Sequence, residues 1–491
     1  MAVVVSIDAG TTGVRSFALD ENGEQVGLSY KEFQQHYPRP GWVEHDASEI
    51  WTSVQATLSE LMSTIKEPIA AVGITNQRET IVAWSRASNE PLCRAIVWQD
   101  LRTSDRCDQL LESAHLDQFR KITGLVINPY FSGTKIQWLL ENGEVQANPD
   151  LAFGTIDSWL IWKLSGGSTH ATDATNASRT LLYDINEGCW SPDLCELLGV
   201  PASSLPEVRP SAGRFAVTAD TTALGAGIPI SGVAGDQQSA LFGQACLEPG
   251  MTKTTYGTGS FVLMNVGTTC PEAVEGLLTT VAWDLGNGPV FALEGSVFAT
   301  GAAIQWLRDG LGVIGDASEI GPLAESADDT GGVFFVPAFA GLGSPWWDTR
   351  ARGTIIGLTG GTGRKELALA VVEAMAFQTR DVVDAMIQAG GMPVSEMRVD
   401  GGAAVMDLLL QIQADQLGVR VARPRITETT AQGAAMLAGL AEGIWTNTQE
   451  IGDAWQLDQA FQPRDNRRES DAVHEEWLRA VARSRNWSNS Q

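Results

Sequence analysis

The chain is poor in lysine and in cysteine, and each shortage removes a class of explanation. Seven lysines are part of only 33 basic side chains, set against 59 acidic ones, so the formal net charge is −26. A surface of that sign repels nucleic-acid backbones and anionic membranes alike, so no nucleic-acid partner and no membrane insertion is expected. The six cysteines (Cys93, Cys107, Cys189, Cys195, Cys246, Cys270) contain no Cys-x-x-Cys pair. That argues against a disulfide framework or a zinc site and for free thiols in a reducing compartment. No apolar run approaches the roughly 20 residues of a membrane span. The opening Met1-Ala-Val-Val-Val-Ser-Ile-Asp8 lacks the basic region of a signal peptide, so a cytoplasmic location is expected. A Gly-x4-Gly-Lys-Ser/Thr sequence is also missing, which excludes a P-loop on motif grounds.

What is present is an ordinary globular composition, 44% apolar and 19% charged over 491 residues. That length exceeds one compact core and predicts two large lobes. Val3 to Ile7 is a β-branched run, followed by the turn-rich Asp8-Ala-Gly-Thr-Thr-Gly13, by Val14 to Leu19 and by the hairpin signal Asn22-Gly23. Met251 to Tyr256, Gly257-Thr-Gly-Ser260 and Phe261 to Asn265 repeat the strand, Gly/Thr turn, strand order, which predicts two related halves. Ile69 to Thr75, Ala95 to Trp98 and Met397 to Val399 read as strands, and Val297 to Arg308 and Glu366 to Gln388 as helices ending at glycines. The alternation predicts mixed α/β lobes. The boundary is placed at the Pro/Gly turn Leu247-Glu-Pro-Gly250, giving lobes 1–250 and 251–491. The charged segment after Phe461 reads as a peripheral helix or tail.

Several positions carry chemistry in more than one reading. Gly310, Gly312 and Gly315 form a Gly-x-Gly-x-x-Gly, but it follows a helical stretch rather than a strand and fails the dinucleotide context. The turns Gly10-Thr11-Thr12-Gly13 and Gly257-Thr258-Gly259-Ser260 are better phosphate cradles, because small residues let N–H groups approach anionic oxygens. Each could also be a plain hairpin. Asp236 follows the apolar stretch Ile228 to Ala234 and is either a site acid at a strand mouth or a helix N-cap. Asp8 is a turn residue or, if the turns hold phosphates, a ligand to a magnesium ion. Arg78 and Glu79 offer a donor fork and an acceptor to neighbouring hydroxyls, or form a surface charge pair. Trp98 and Tyr130 either cover a small polyol or fill core.

Together these stretches resemble the glycerol kinases of the FGGY carbohydrate kinase family, whose fold is two actin-like (ribonuclease H-like) ATPase lobes with a cleft between them. The resemblance runs over nearly the whole chain. It rests on Asp8-Ala-Gly-Thr-Thr, Pro40-Gly-Trp-Val-Glu-His-Asp46, Gly73-Ile-Thr-Asn-Gln-Arg-Glu79, Ala95-Ile-Val-Trp-Gln99 and Asn128-Pro-Tyr-Phe-Ser-Gly-Thr-Lys135. It continues through Gly235-Asp-Gln-Gln238, Tyr256-Gly-Thr-Gly259, Pro337-Ala-Phe339, Gly341-Leu-Gly343 and Asp400-Gly-Gly-Ala403. The resemblance implies that Arg78, Glu79, Tyr130, Asp236 and Gln237 line a glycerol pocket, with Trp98 and Phe261 against the carbon backbone. It implies an ATP site of Thr11, Thr12, Arg15, Gly257, Thr258, Gly301, Gln305 and Gly402, with Mg2+ at Asp8 and Asp236. It further implies Asp236 as general base, glycerol and ATP as partners, and a homodimer or homotetramer.

Three residues depart from that pattern on the nucleotide side: Ala9 in place of Gln, Gly13 in place of Ser and Met406 in place of Asn. They predict altered nucleotide affinity. Gly227 stands where sugar-bisphosphate-inhibited relatives carry Arg, which predicts weak or absent inhibition of that kind. The rival readings are a kinase for another small polyol or pentulose and an actin-like ATPase that transfers no phosphate to a polyol.

Overall fold

The computed structural model describes residues 2–488 as a mixed α/β protein built on two large sheets. Val3–Ala9, buried along its whole length, is an inner strand of a six-stranded sheet, as β-branched residues shielded on both faces favour. It pairs antiparallel with Gly13–Asp20, which pairs with Gln25–Glu32. On its other side Ile69–Asn76 and then Pro229–Gly235 run parallel, and antiparallel Ala212–Val217 closes the edge. The second sheet repeats this order around Met251–Tyr256. Ser260–Gly267, Pro289–Val297 and Leu278–Asp284 follow antiparallel on one side. Glu396–Asp400 and Val421–Pro424 lie parallel on the other, closed by antiparallel Leu457–Phe461. The two-lobed α/β class expected from the sequence is the one formed, and the repeated strand, turn, strand pattern occupies the same place in each sheet.

Strand register decides where chemistry can gather. Asp8 lies opposite Thr75, and Asn76 opposite Gly235, so Asp8, Asn76 and the residue after Gly235 sit together at the carboxyl ends of three adjacent parallel strands. In the second sheet Thr255 lies opposite Asp400, just before Gly257. Crevices beyond such strand ends are the usual ligand sites of α/β sheets.

Two sequence expectations need correction. The helix expected over Val297 to Arg308 begins only at Gly301, and Val297 ends a strand paired with Ser260. A short apolar run does not separate strand from helix by periodicity, and here the neighbouring strand decided. The strand expected over Ala95 to Trp98 stops at Ile96, and Trp98 instead donates its backbone N–H to Thr80 Oγ1 at 3.2 Å. The long helix forms over Arg364–Gly390 and ends at Gly391 with φ 64°, as its glycines predicted. The charged segment after Phe461 holds the helix Arg467–Ser484, which is tied into the core rather than trailing. Its Trp477 is fully buried, and Trp477 Nε1 and His474 Nε2 both reach Asp381, at 2.9 and 2.7 Å.

The helix Thr429–Ala441, from the second half of the sequence, packs on the first sheet and on the helix Asp236–Gly243. Its Thr-Thr-Ala-Gln-Gly-Ala-Ala-Met-Leu-Ala-Gly composition presents almost no side-chain bulk, so backbone meets backbone. A Cβ at Gly433 would fall on the Ser239 carbonyl, and one at Gly73 on the Ala434 carbonyl. Gly433→Ala is therefore expected to lower stability by about 1–3 kcal/mol through overpacking, read as a reduced urea midpoint. An unchanged midpoint would show that this contact yields without cost.

Candidate active site

The first turn is closed by Gly10 N–H on the Gly13 carbonyl at 3.0 Å. Its carbonyls are tied back from outside: Gln77 Nε2 donates to Gly10 O and Gln35 Nε2 to Thr11 O, both at 2.9 Å. The Thr11 and Thr12 N–H groups have no acceptor among the described residues. Gly257 N–H on the Gly259 carbonyl, at 2.8 Å, closes the second turn. The Gly257 and Thr258 carbonyls take the Thr300, Gly301 and Ala302 N–H groups. Both turns thus have spent carbonyls, and the first keeps free backbone donors, an arrangement suited to phosphate oxygens.

Asp236 is not the helix cap that its position allowed. Gly235 holds the cap position, and Asp236 is the first residue of the helix Asp236–Gly243. Its carboxylate accepts the Gln237 N–H at 2.7 Å and faces Arg78 Nε at 3.1 Å, while the side chain keeps 29% exposure toward the cleft. Burial raises the pKa of Asp236, against the lowering pull of Arg78 and then Lys253. Asp8 is pushed to about 6, chiefly by burial, with Arg15 opposing and the Asp236 charge adding to the rise. Two carboxylates that raise each other's cost of ionisation are what a divalent cation relieves. A pair of carboxylates suits an ion that takes its other ligands from water and phosphate oxygens.

Arg78 and Glu79 are not a surface pair. Both are buried, at 2% and 1% exposure, and Glu79 has the left-handed φ of 63°, a strained conformation for a non-glycine residue. Arg78 forks onto Glu294 at 2.5 and 3.1 Å, and Arg179 bridges Glu79 at 2.7 Å and Glu294 at 3.0 Å. Burial works to raise the pKa of Glu294, but Arg179 and Arg78 overcome it and hold it at about 2. Lys253, also buried, joins Gln237 Oε1 and donates to Thr255 Oγ1 at 2.8 Å. Sequence reasoning missed Arg179, Glu294 and Lys253. The available signal was charge inside a strand: Glu294 within Phe291-Ala-Leu-Glu-Gly295 and Lys253 within Met251-Thr-Lys-Thr-Thr-Tyr256 cannot be buried without partners.

Two cavities adjoin the second turn. One, of about 610 Å³, is lined by Thr11, Thr12, Trp98, Tyr130, Gln237 and Phe261 together with Gly257 and Thr258. Trp98 packs edge-on against Tyr130 with 5.4 Å between centroids and donates Nε1–H to Thr11 Oγ1 at 3.0 Å. The other cavity, of about 760 Å³, is lined by Gly257, Thr258, Gly301, Gln305, Gly402 and Met406. The Gly257–Thr258 turn is a wall of both.

The structure brings together most residues singled out in the sequence. Arg78, Glu79 and Asp236 line neither cavity; Gln237, which follows Asp236, lines the first. Arg15 lines neither cavity; it pairs with Asp8 at 3.0 Å and Glu428 at 2.9 Å. Gly13, one of the three departures, is accounted for by its neighbour, since a Cβ there would lie 2.6 Å from the Tyr30 hydroxyl. Met406 places a thioether in the second cavity beside Gly321, where an amide would offer hydrogen bonds. Gly227 is exposed, with φ 91°, a conformation that a side-chain-bearing residue adopts only under strain.

Two matching sheets, each with a Gly/Thr turn in the same place, and an acid at the strand ends define a two-lobed α/β architecture. Residues 3–243 match the N-terminal domain of the FGGY family of carbohydrate kinases and residues 252–442 its C-terminal domain. The chain belongs to that family. It is 51% identical to a glycerol kinase of Carboxydothermus hydrogenoformans over 99% of this chain and 98% of the relative. It is likewise 51% identical to glycerol kinase 2 of Thermotoga maritima, over 99% of each chain. The crystal structure of Plasmodium falciparum glycerol kinase with ADP superposes with a TM-score of 0.93 at 35% identity, covering 99% of this chain and 98% of that one. A gluconate kinase from Lactobacillus acidophilus, at 21% identity and TM-score 0.88, shares the fold.

Met406→Asn is expected to lower the KM for ATP about two- to tenfold, the worth of one added hydrogen bond, with the KM for glycerol unchanged in steady-state assays. Gly227 predicts that millimolar fructose 1,6-bisphosphate leaves the initial rate unaltered, because the loop carries no cation at that position. Potent inhibition would refute it.

Proposed function

We propose that this chain transfers the γ-phosphoryl group of ATP to a terminal hydroxyl of glycerol, giving sn-glycerol 3-phosphate and ADP. The observation that carries the reading is the Gly257–Thr258 turn in the lining of both cavities, with Gln237, the residue after Asp236, in the lining of the first. Family membership and the names of the half-identical relatives support the substrate. The glycerol pocket is assigned to Arg78, Glu79, Tyr130, Asp236 and Gln237, with Trp98 and Phe261 flanking the carbon chain. The nucleotide is assigned to Thr11, Thr12, Arg15, Gly257, Thr258, Gly301, Gln305 and Gly402. Residues 1–250 supply the triol side and the first turn, and residues 251–491 the second turn and the adenine side. All six cysteines are free, in keeping with a reducing cytoplasm.

Phosphoryl transfer asks a protein mainly for in-line positioning and neutralisation of phosphate oxygens. Asp236 accepts the proton of the terminal hydroxyl as that oxygen attacks the γ-phosphorus and the bond to the bridging β,γ-oxygen breaks. Arg78 Nε, at 3.1 Å, orients the accepting carboxylate, and Lys253 holds the neighbouring Gln237 amide. Asp8 and Asp236 would hold Mg2+, whose charge, when bound, offsets that of the phosphate oxygens. Trp98, Tyr130 and Phe261 cover the carbon side and keep water, the competing nucleophile, away from the transfer point.

Asp236→Asn is expected to reduce kcat about 100- to 10,000-fold, the usual contribution of a general base, in a coupled ADP-release assay. The assay is run with glycerol, xylulose, gluconate and no substrate, and glycerol is expected to give the fastest release. Burial raises the pKa of Asp236, and the base must be ionised to act. The kcat/KM for glycerol should therefore fall as pH is lowered, starting above the range of an exposed aspartate, and this acid limb should vanish in the Asn variant. Near-normal turnover of folded Asp236→Asn would remove Asp236 from the base role.

A further inference from the structure

Four side chains that the proposed mechanism uses only in part form a closed, solvent-free charge cluster. Arg78, Glu79 and Arg179 come from the first half of the chain, and Glu294 comes from the strand Pro289–Val297 of the second sheet. All four are buried, and two arginines against two glutamates balance in charge. The contacts run in a ring: Glu79 to Arg179, Arg179 to Glu294, Glu294 to Arg78, and Arg78 back to Glu79 at 3.8 Å. Arg78 has both terminal nitrogens on Glu294, with Gln238 Oε1 as a further acceptor at 3.2 Å, and only Nε turned to Asp236.

We propose that Glu294 and Arg179 are positioning residues of the polyol pocket: the Glu294 carboxylate clamps the Arg78 and Arg179 forks, which fixes Arg78 Nε on Asp236 and aims Glu79. The proposal rests on the reading that a polyol meets Arg78, Glu79 and Asp236. It adds that the pocket is completed from the opposite sheet, by a strand that supplies no other polar partner to Arg78. Without Glu294 the Arg78 fork would be left to its other acceptors, Asp236, Gln238 and Glu79, at 3.1, 3.2 and 3.8 Å. With Glu294 in place, the bidentate geometry leaves a single orientation. The φ of 63° at Glu79 points the same way, because a strained backbone persists only where its surroundings hold it, and Arg179 Nε and Ser132 Oγ grip that residue at 2.7 and 2.9 Å.

The test is a kinetic split in the full-length protein. Glu294→Gln keeps shape and loses charge. Its KM for glycerol is expected to rise about ten- to a hundredfold, the worth of a charged hydrogen bond, while the KM for ATP stays within about twofold. Arg179→Lys keeps the charge but cannot span Glu79 and Glu294, so it should shift the same constant in the same direction by less. Circular dichroism and tryptophan fluorescence report whether each variant is folded. A merely structural role would lower the active fraction and leave the KM for glycerol at the parent value; that result overturns the proposal, as does failure of both variants to fold. If the parent protein phosphorylates another polyol instead of glycerol, the functional reading fails, and the same split measured on that polyol still decides the roles of Glu294 and Arg179.

Discussion

A carboxylate on one sheet, held between two guanidinium groups rooted in the other half of the chain, sets the terms for everything around it. Ions fully removed from water are tolerated only with excellent geometry, and removing one partner strands the others at a cost of several kcal/mol. Glu294 therefore admits very few relative placements of the strand Pro289–Val297 against Arg78 and Arg179. Hydrophobic burial alone would not discriminate so finely, because apolar surfaces slide with little penalty. The apolar cluster that joins the halves, from Val4 and Phe17 to Leu263 and Met436, supplies attraction, and the ion ring supplies position.

Asp236 inherits its environment from that ring. Because the Arg78 fork is occupied by Glu294, the charge left for Asp236 is a single Nε, and burial prevails in raising its pKa. The ring thus leaves Asp236 partly paired. Asp8, a strand away, is raised partly by the charge of Asp236.

The sequence made the framework legible because the framework is local. A β-branched run, a Gly/Thr turn and a second run are contiguous in Val3 to Leu19 and again in Met251 to Asn265, and both formed where they were read. Asp236 was visible as an acid at a strand mouth. Its distinction from a helix cap was not visible, since that depends on Gly235 taking the cap position and on Arg78, 158 positions earlier, arriving beside it. The ring was illegible for the same reason. Glu79, Arg179 and Glu294 are each separated by 100 residues or more, and no spacing rule joins them. A charged residue in a buried strand announces that a partner exists without saying which. The error at Val297 had another origin: the run Ser296 to Ala303 suits a strand or a helix, and pairing with Ser260 chose the strand for its first residues.

The helix Thr429–Ala441 seats on the first sheet with backbone against backbone, and the ion ring closes a second junction between the halves. Neither junction can slide: the first lacks side chains to deform, and the second would expose unpaired charge. The Gly10–Gly13 turn lies at the same strand ends as Arg78 and Asp236, since Ala9 pairs with Asn76 and Gln77 Nε2 holds the Gly10 carbonyl at 2.9 Å. The ring therefore braces the strand ends that carry both Asp236 and the first turn, so a shift between the halves would be felt first where the proposed base and phosphate sites lie.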